Sequence, residues 1–210
     1  MGETKHAQPA ASTAGRRERK RQESRERLYA AAIDLFLEQG FDPTTVDQIA
    51  NRADVARATA FNYFPQKIAY LEEWGRRRRR HVRTRLALHA PDADTGANHL
   101  SRYLREMAML NTSSRSESQV LMDPSIRLGQ ALRSPTLDVD LADVVRDGQA
   151  TGEFRPEVDA AQVGVVLAAS YFSTVLRWAT PGPPPFDLDL QLQHTLDLVI
   201  RGLGSVDGGE

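Results

Sequence analysis

Residues 45–64 read TVDQIANRADVARATAFNYF, and this stretch decides the local fold. Thr45 and Gln48 stand three residues apart at its start, which is the spacing of a capping box that begins a helix. The short helix that this predicts is followed by a tight turn at Ala53-Asp54-Val55. A second short helix then runs until Pro65, because the residue before a proline is pushed away from helical geometry.

Two short helices joined by three residues form a helix-turn-helix when small apolar residues fill their crossing. The candidates for this packing are Ile49, Ala50, Ala53, Val55 and Phe64. The second helix leaves side chains exposed that suit base edges, since Arg pairs with guanine, Asn pairs with adenine, and aromatic or Thr methyl groups contact the thymine methyl. Short helix pairs also occur in all-α proteins of other functions, so a purely structural interpretation stays open here.

The flanking sequence is helical in pattern. Apolar residues at i, i+3, i+4, i+7 and i+8 predict a helix before the pair, ending at Gly40, and a longer helix runs from near Gln66 to about Leu88. Further helices are expected at about 98–111, 117–132, 135–150, 159–179 and 187–203. Strand-like alternation is absent from the sequence, so the fold class is all-α.

The order of residues from Arg27 to Tyr70 is more specific than the helix pattern. It contains Ala31-Ala32-Ile33-Asp34-Leu35-Phe36, Gly40-Phe41, Thr45-Val46-Asp47-Gln48-Ile49-Ala50, Val55, Thr59-Ala60-Phe61-Asn62-Tyr63-Phe64 and Lys67. This text resembles the N-terminal domain of the TetR (tetracycline-repressor-like) family of bacterial transcription regulators. The resemblance implies an N-terminal three-helix helix-turn-helix domain followed by a C-terminal helical domain that binds a ligand and dimerises.

The resemblance also implies domain bounds and a function. We expect a disordered basic arm over residues 1–18, a DNA-binding domain over 19–68, and a ligand-binding and dimerisation domain over 69–210. From the residue pattern alone, the polar stretch from Pro91 to Ala97 is the best candidate for the domain boundary. The expected function is that of a ligand-responsive repressor, which binds a palindromic operator on double-stranded DNA as a homodimer and is released by a partly apolar small molecule.

The family's DNA contacts carry over to eight positions. Arg57 and Ala58 would approach bases, and Phe61 and Asn62 would lie near bases or the adjoining backbone. The residues expected to bind phosphates are Thr45, Thr59, Tyr63 and Lys67.

Three positions depart from the family pattern. Asp54 occupies a turn position where the family commonly has Gly, Ala56 replaces the usual N-cap Ser, and Phe61 replaces a frequent Tyr. An N-cap Ser is worth ~1 kcal/mol over Ala. These departures motivate an alternative function. The protein would then be a small-molecule-binding or adaptor protein whose DNA-binding domain, residues 19–68 and called the head below, binds DNA weakly.

Charge is distributed unevenly along the chain. Residues 1–90 contain 18 Lys/Arg and 11 Asp/Glu, whereas residues 91–210 contain 9 and 17. A basic first half favours contact with a polyanion. The arm from Arg16 to Arg21 is either a DNA-contacting segment or a solubilising tail. The run from Arg76 to Arg80 wraps the whole helix, so it is either a phosphate-attracting surface or a solvated helix in which Glu72 or Glu73 pairs with arginines.

The C-terminal half has two apolar seams, Val163-Leu167-Tyr171-Thr174-Trp178 and Leu188-Leu192-Leu196-Val199-Leu203. They face either a symmetry mate in a four-helix interface or the core of the monomer. Aromatic and Met residues suit an adaptable apolar pocket, but the same residues at helical spacing also suit a plain core. The candidate ligand-binding residues are Tyr103, Met107, Leu110, Met122, Tyr171, Phe172 and Trp178.

Other functions find little support in the sequence. There is no cysteine, and the five histidines show no metal-ligand spacing, so neither a metal nor a cofactor is expected. Phosphate loops and nucleophile elbows are missing, so the protein is not expected to be an enzyme. No apolar run approaches the ~20 residues that span a bilayer, and the first thirty residues lack a secretory signal. A cytoplasmic protein without membrane partners is expected.

Overall fold

The computed structural model describes residues 10–89, 95–129 and 137–203 of the chain. Every regular element in these ranges is an α-helix, which confirms the all-α class. The helices are α1 (Ala10–Gln39), α2 (Val46–Arg52), α3 (Arg57–Tyr63), α4 (Ile68–Leu88), α5 (Gly96–Ser113), α6 (Arg115–Arg127), α7 (Leu137–Ala150), α8 (Ala160–Trp178) and α9 (Leu188–Leu203).

The chain forms two compact units, of which the first ends at Tyr70 and the second begins at Leu71. The division falls in the first turn of α4, two residues after the division that the family resemblance implies. Of the polar stretch from Pro91 to Ala97, residues 91–94 lie outside the described residues, and residues 95–97 belong to the second unit, so the boundary is not there.

The N-terminal segment is more ordered than its sequence suggests. α1 begins at Ala10, so the expectation of a disordered arm over residues 1–18 is wrong for residues 10–18, and residues 1–9 lie outside the described residues. Six of the nine residues from 10 to 18 are Ala, Arg or Glu, and these are strong helix formers. The Gln22–Glu26 hydrogen bond of 2.7 Å adds a contact one turn apart on the same helix.

The first unit packs α1, α2 and α3 around an aromatic and aliphatic core. Its fully buried side chains include Leu28, Phe36, Ile49, Ala60, Phe64 and Tyr70. The rings of Phe64 and Tyr70 stack with centroids 4.1 Å apart. Arg52 on α2 donates two hydrogen bonds, of 2.9 and 2.7 Å, to the Glu38 carboxylate on α1. This contact, 14 residues apart, lowers the pKa of Glu38 through the hydrogen bond from Arg52.

The second unit is organised by the pairing of α7 with α8. Gly164 on α8 lies against the backbone of α7 at Asp138 and Ala142, so the two helices approach unusually closely. The predicted seam of α8, from Val163 to Trp178, is buried, as are Leu188, Leu192 and Leu196 on α9. Of the two interpretations of these seams, the monomer core is therefore the one that holds for these residues.

The length and composition of α8 test the expectation that no apolar stretch is long enough to span a bilayer. This helix has 19 residues, and an 18-residue window of it has a mean hydropathy of 1.2, so α8 is long and apolar enough to cross a bilayer by length and composition alone. The expectation that no apolar stretch approaches that length is thus wrong for α8. In the fold, however, nine of its residues are buried against other helices, and a core helix passes the same test.

Candidate nucleic-acid interface and ligand cavities

α2 begins with the capping box that the sequence predicts. The Thr45 hydroxyl accepts a hydrogen bond of 3.2 Å from the Gln48 backbone N–H, and the Gln48 side-chain oxygen accepts one of 2.8 Å from the Thr45 backbone N–H. Two backbone donors at the helix start are thereby satisfied. Thr45 remains exposed, as its predicted phosphate contact requires.

The turn between α2 and α3 keeps its geometry despite the substitutions. Asp54 has φ +51°, in the left-handed region that Asp tolerates better than most residues. The backbone N–H groups of Asp54 and Val55 donate to the carbonyls of Asn51 and Ala50 at 3.1 and 3.0 Å. Ala56 is the N-cap of α3 and has no side-chain cap, as its sequence implies. The turn therefore survives, and the cost of the substitutions lies in the missing cap.

α3 presents one face to solvent. Ala60 is buried against the core, and the exposed residues of the helix are Arg57, Ala58, Phe61 and Asn62. Thr59 and Tyr63 are half-buried. The predicted base-contacting and backbone-contacting residues of α3 therefore share one accessible surface.

The Arg57 side chain lies beside Asp47 and Phe61 in the protein without DNA. Its Nε lies 2.8 Å from Oδ1 of Asp47 on α2, and its guanidinium lies 5.5 Å from the ring centroid of Phe61. The Arg57 side chain is 70% exposed, so the ion pair adds little stability. The Asp47 carboxylate is on the Nε side of the guanidinium, so the two terminal nitrogens stay available for a guanine edge.

Lys67 has a structural role that the sequence did not indicate. Its ammonium donates to the backbone carbonyls of Phe41 and Asp42, both at 2.7 Å, and lies 4.4 Å from the Phe41 ring centroid. Partial burial lowers the pKa of Lys67, and the Asp42 carboxylate counteracts this shift in part. An ammonium has three donors. Two of them tie the α1–α2 loop to the start of α4, which leaves one for the predicted phosphate contact.

Replacing Lys67 with Met is expected to weaken operator binding at every sequence and to destabilise the head. Hydrogen bonds from a charged donor contribute ~1.5–3 kcal/mol each, and partial exposure reduces the total to about 2 kcal/mol. Removing one phosphate contact should also flatten the salt dependence of binding by about 0.9 in log–log slope. Urea denaturation and fluorescence anisotropy at several salt concentrations measure both effects. Lys67→Arg is the control, and an equal decrease there would contradict a role for the charge.

The arginine run from Arg76 to Arg80 is engaged within the protein. Glu73, with 2% of its side chain exposed, accepts hydrogen bonds from Arg76 and Arg77, the latter at 2.8 Å, and Arg80 lies 3.9 Å from it. This confirms the predicted pairing with an acid one turn earlier. The buried Arg78 donates to Asn111 and Ser114, and Arg79 lies 3.8 Å from Asp140. The run is accordingly a set of internal contacts more than a free cationic surface.

The predicted ligand-binding residues are dispersed. Tyr103 lines a cavity between α4, α5 and α7, and Trp178 lines a different one beside the segment before α9. Neither cavity is lined by the other five. Among those, Met107, Met122 and Tyr171 are buried, and Leu110 and Phe172 are half-buried.

The cavity between α4, α5 and α7 has a volume of about 440 Å³. Leu86, Ala87 and Val144 supply apolar wall, and the polar lining comes from Arg83, His99, Arg102, Tyr103, Asp140, Asp143 and Asp147. The Tyr103 hydroxyl donates to Asp140 at 2.8 Å, and burial raises the pKa of Tyr103. Apart from Tyr103, sequence reasoning missed this lining, because it is assembled from three helices that are distant in the sequence.

The second cavity, of about 540 Å³, is a more open groove. Its apolar wall includes Met109, Trp178, Pro184, Phe186 and Leu188. A search of the described ranges finds no cluster of three His, Cys, Asp or Glu side chains that could hold a metal ion. The linings of both cavities combine apolar and polar side chains, which suits an apolar or mixed small molecule.

A helix-turn-helix with an accessible second helix, followed by a separate helical unit with cavities, is an arrangement suited to a DNA-binding transcription regulator. Residues 28–73 match the family described as bacterial regulatory proteins, tetR family. These residues are therefore a DNA-binding domain of the TetR family, and the chain as a whole is similar to transcription regulators of that family.

Two relatives support this similarity, one over a short stretch and the other over most of the chain. Over 44 residues the chain is 48% identical to the uncharacterized HTH-type transcriptional regulator YdeS of Bacillus subtilis, covering 21% of this chain and 22% of YdeS. The chain thus spans less than a quarter of that relative. Over 182 residues it is 25% identical to the HTH-type transcriptional repressor KstR of Rhodococcus jostii, covering 85% of this chain and 83% of KstR.

A solved structure extends the likeness to nearly the whole chain. The Thermus thermophilus FadR, a TetR-family transcriptional repressor in complex with lauroyl-CoA, superimposes with a TM-score of 0.69 at 29% identity. The match covers 88% of this chain and 100% of that one. These relatives are transcription regulators and not enzymes.

Proposed function

We propose that the protein is a homodimeric repressor that binds a palindromic DNA operator and is released by a partly apolar small molecule. The observation that carries the proposal is the exposed face of α3, held over a packed core between a capped α2 and the stacked rings of Phe64 and Tyr70. Two such heads in a dimer would reach successive major grooves about 34 Å apart. The protein acts in the cytoplasm, where bacterial DNA lies.

Within this proposal, Arg57 and Asn62 read bases. Replacing either residue with Ala is expected to weaken binding at particular base pairs by ~1–3 kcal/mol, since a bidentate contact discriminates by that amount. Competition with single-base operator variants measures the effect. A decrease spread evenly over all base pairs would show that these two side chains contact the backbone instead.

Dimerisation is proposed to use the outer faces of α8 and α9. Five of the ten exposed large apolar side chains among the described residues lie there, namely Val165, Val166, Leu176, Leu190 and Leu198. α8 and α9 also pack on each other, so their outer stripes belong to one helix pair. Apolar stripes on an antiparallel pair are suited to a two-fold, self-complementary interface. The interface thus lies opposite the buried seams.

The effector is proposed to occupy the cavity between α4, α5 and α7. Its apolar walls accommodate a hydrocarbon portion. Its polar lining carries two arginines, Arg83 and Arg102, together with the carboxylates of Asp140, Asp143 and Asp147, and Arg83 lies 3.4 Å from Asp140. Because the related FadR binds lauroyl-CoA, this acyl-CoA is the first compound to test. A ligand that binds the DNA-free conformation more tightly shifts the population away from DNA.

Selection of duplexes from a random pool tests the function directly. Purified protein should enrich a palindromic site and hold it against random duplex at moderate salt. Acyl-CoAs and other amphipathic compounds are then added to the complex, and release is followed by anisotropy. Failure to prefer any selected sequence would sink the proposal.

One observation favours the second function, a ligand-binding or adaptor protein with a weakened head: Ala56 leaves the start of α3 uncapped. The double change Asp54→Gly and Ala56→Ser is expected to stabilise the head by about 1 kcal/mol and to leave operator preference unchanged. Thermal denaturation and duplex binding measure both. If only the double variant binds an operator, the adaptor function replaces the repressor.

A further inference from the structure

The first half of α1 projects beyond the packed head. Side chains from Gly15 to Glu23 are all exposed, whereas one side of α1 is buried from Leu28 onward. At ~1.5 Å per residue this exposed stretch is about 13 Å long. We call Gly15–Glu23 the α1 extension. It has no packed face, so its side chains add nothing to the core of the head.

The α1 extension is strongly basic. Five of its nine residues are Arg or Lys and two are Glu. Its ion pair between Arg21 and Glu18, at 3.4 Å, joins side chains that are 67% and 71% exposed, so it neutralises little of the charge. An exposed, cationic helix is suited to a polyanion.

Four of the five basic side chains share one side of the helix. At ~100° per residue, Arg16, Arg17, Lys20 and Arg21 fall within an arc of about 140°, and Arg19 lies about 60° outside it. On the same helix the buried Leu28, Ala31 and Leu35 fall in that arc, whereas the buried Ala32, Ile33 and Phe36 lie beyond one edge of it. The basic face therefore overlaps part of the stripe of α1 that is buried in the head.

The extension leaves the head beside the end of α3. The Arg25 guanidinium lies 5.7 Å from the ring centroid of Phe64, the residue that directly follows α3. A helix is ~10 Å wide and the minor groove only ~6 Å, so a helical extension cannot insert there as a flexible arm would. Phosphate oxygens on the duplex surface are the groups it can reach.

We propose that the α1 extension binds the backbone phosphates of duplex DNA that flanks the base pairs read by α3. This inference rests on the proposed function, because it presupposes an operator. The extension adds affinity without reading sequence, and it lengthens the stretch of DNA that the protein protects.

The test compares a duplex trimmed to the selected palindrome with one that carries ~8 flanking base pairs on each side. Wild-type protein should bind the flanked duplex more tightly and with a steeper salt dependence. A variant with Arg16, Arg17, Lys20 and Arg21 changed to Gln keeps the helix and should bind both duplexes alike. Its log–log slope should fall by about 0.9 for each phosphate that the variant no longer neutralises. Replacing the three arginines with Lys should preserve the difference between duplexes.

A second variant tests the helix itself. Gln22→Pro keeps every charge but breaks the helix at the end of the extension that adjoins the head. It should not show the tighter binding to flanked DNA, and full retention of that preference would overturn a helical contact. Equal slopes for wild type and the Gln variant on the flanked duplex would overturn the proposal altogether. If wild type fails to bind even the trimmed palindrome, the proposed function fails instead.

Discussion

Replacing Gly164 with Ala is expected to lower the free energy of unfolding by about 3 kcal/mol, at the upper end of the usual cost of overpacking. The added Cβ would collide with the backbone carbonyl oxygen of Asp138 and would lie 3.1 Å from the backbone nitrogen of Ala142. Backbone atoms cannot rotate away as a side chain can, so α7 has to move from α8. The midpoint of thermal unfolding should fall by about 6–12 °C.

The matched control is Gly75→Ala on α4. A Cβ there would meet only the flexible end of Arg79, at 3.5 Å, which is ordinary contact. Because Ala is the better helix former, this change is expected to raise stability by about 0.5–1 kcal/mol. Circular dichroism during heating and urea titration compares the two variants. If Gly164→Ala is as well tolerated as Gly75→Ala, the close pairing of α7 and α8 is wrong.

The head was largely predictable because its signals are local. A capping box needs Thr45 and Gln48 three residues apart, and both hydrogen bonds form. A three-residue turn needs one residue of positive φ, and Asp54 supplies it. Rules that span four or five residues can be applied to the sequence alone, since nothing distant has to be known.

Contacts between distant residues were not predictable in the same way. The family resemblance predicted that Lys67 binds a phosphate. It did not predict the hydrogen bonds from Lys67 to two backbone carbonyls that lie 25 and 26 residues earlier in the chain. The helix at residues 10–18 was missed for a different reason. A segment rich in charge and Ala satisfies the composition of disorder as well as that of an exposed helix, and only the continuation of α1 distinguishes them.

The candidate ligand residues illustrate a limit of periodicity. Met107, Met122 and Tyr171 each belong to the apolar stripe of a different helix. The sequence does not show what packs against such a stripe. Whether that is a neighbouring helix or a cavity depends on the arrangement of several helices. The cavity between α4, α5 and α7 is lined instead by charged residues such as Arg83 and Asp140, which no apolar pattern marks.

Apolar periodicity likewise does not identify which helix faces contact a second copy of the chain, so the proposed α8–α9 interface has to be tested by substitution. The double change Leu190→Glu and Leu198→Glu is expected to weaken the homodimer by at least ~3 kcal/mol, roughly a hundredfold or more. Both side chains are exposed in the monomer, at 55% and 74%, so the change should leave folding intact. In a two-fold interface each substitution occurs twice, and each buried Leu contributes ~1.5–3 kcal/mol.

Leu88→Glu is the matched control for this prediction. Leu88 on α4 is 73% exposed, almost the same as Leu198, but lies outside the α8–α9 surface. Sedimentation velocity over a range of concentrations should show monomer for the double variant and dimer for Leu88→Glu. Affinity for a palindromic duplex should fall with the dimer, whereas affinity for an isolated half-site should not. A double variant that stays dimeric would place the interface elsewhere, because a charge on each of the two outermost leucines cannot be buried there without a partner.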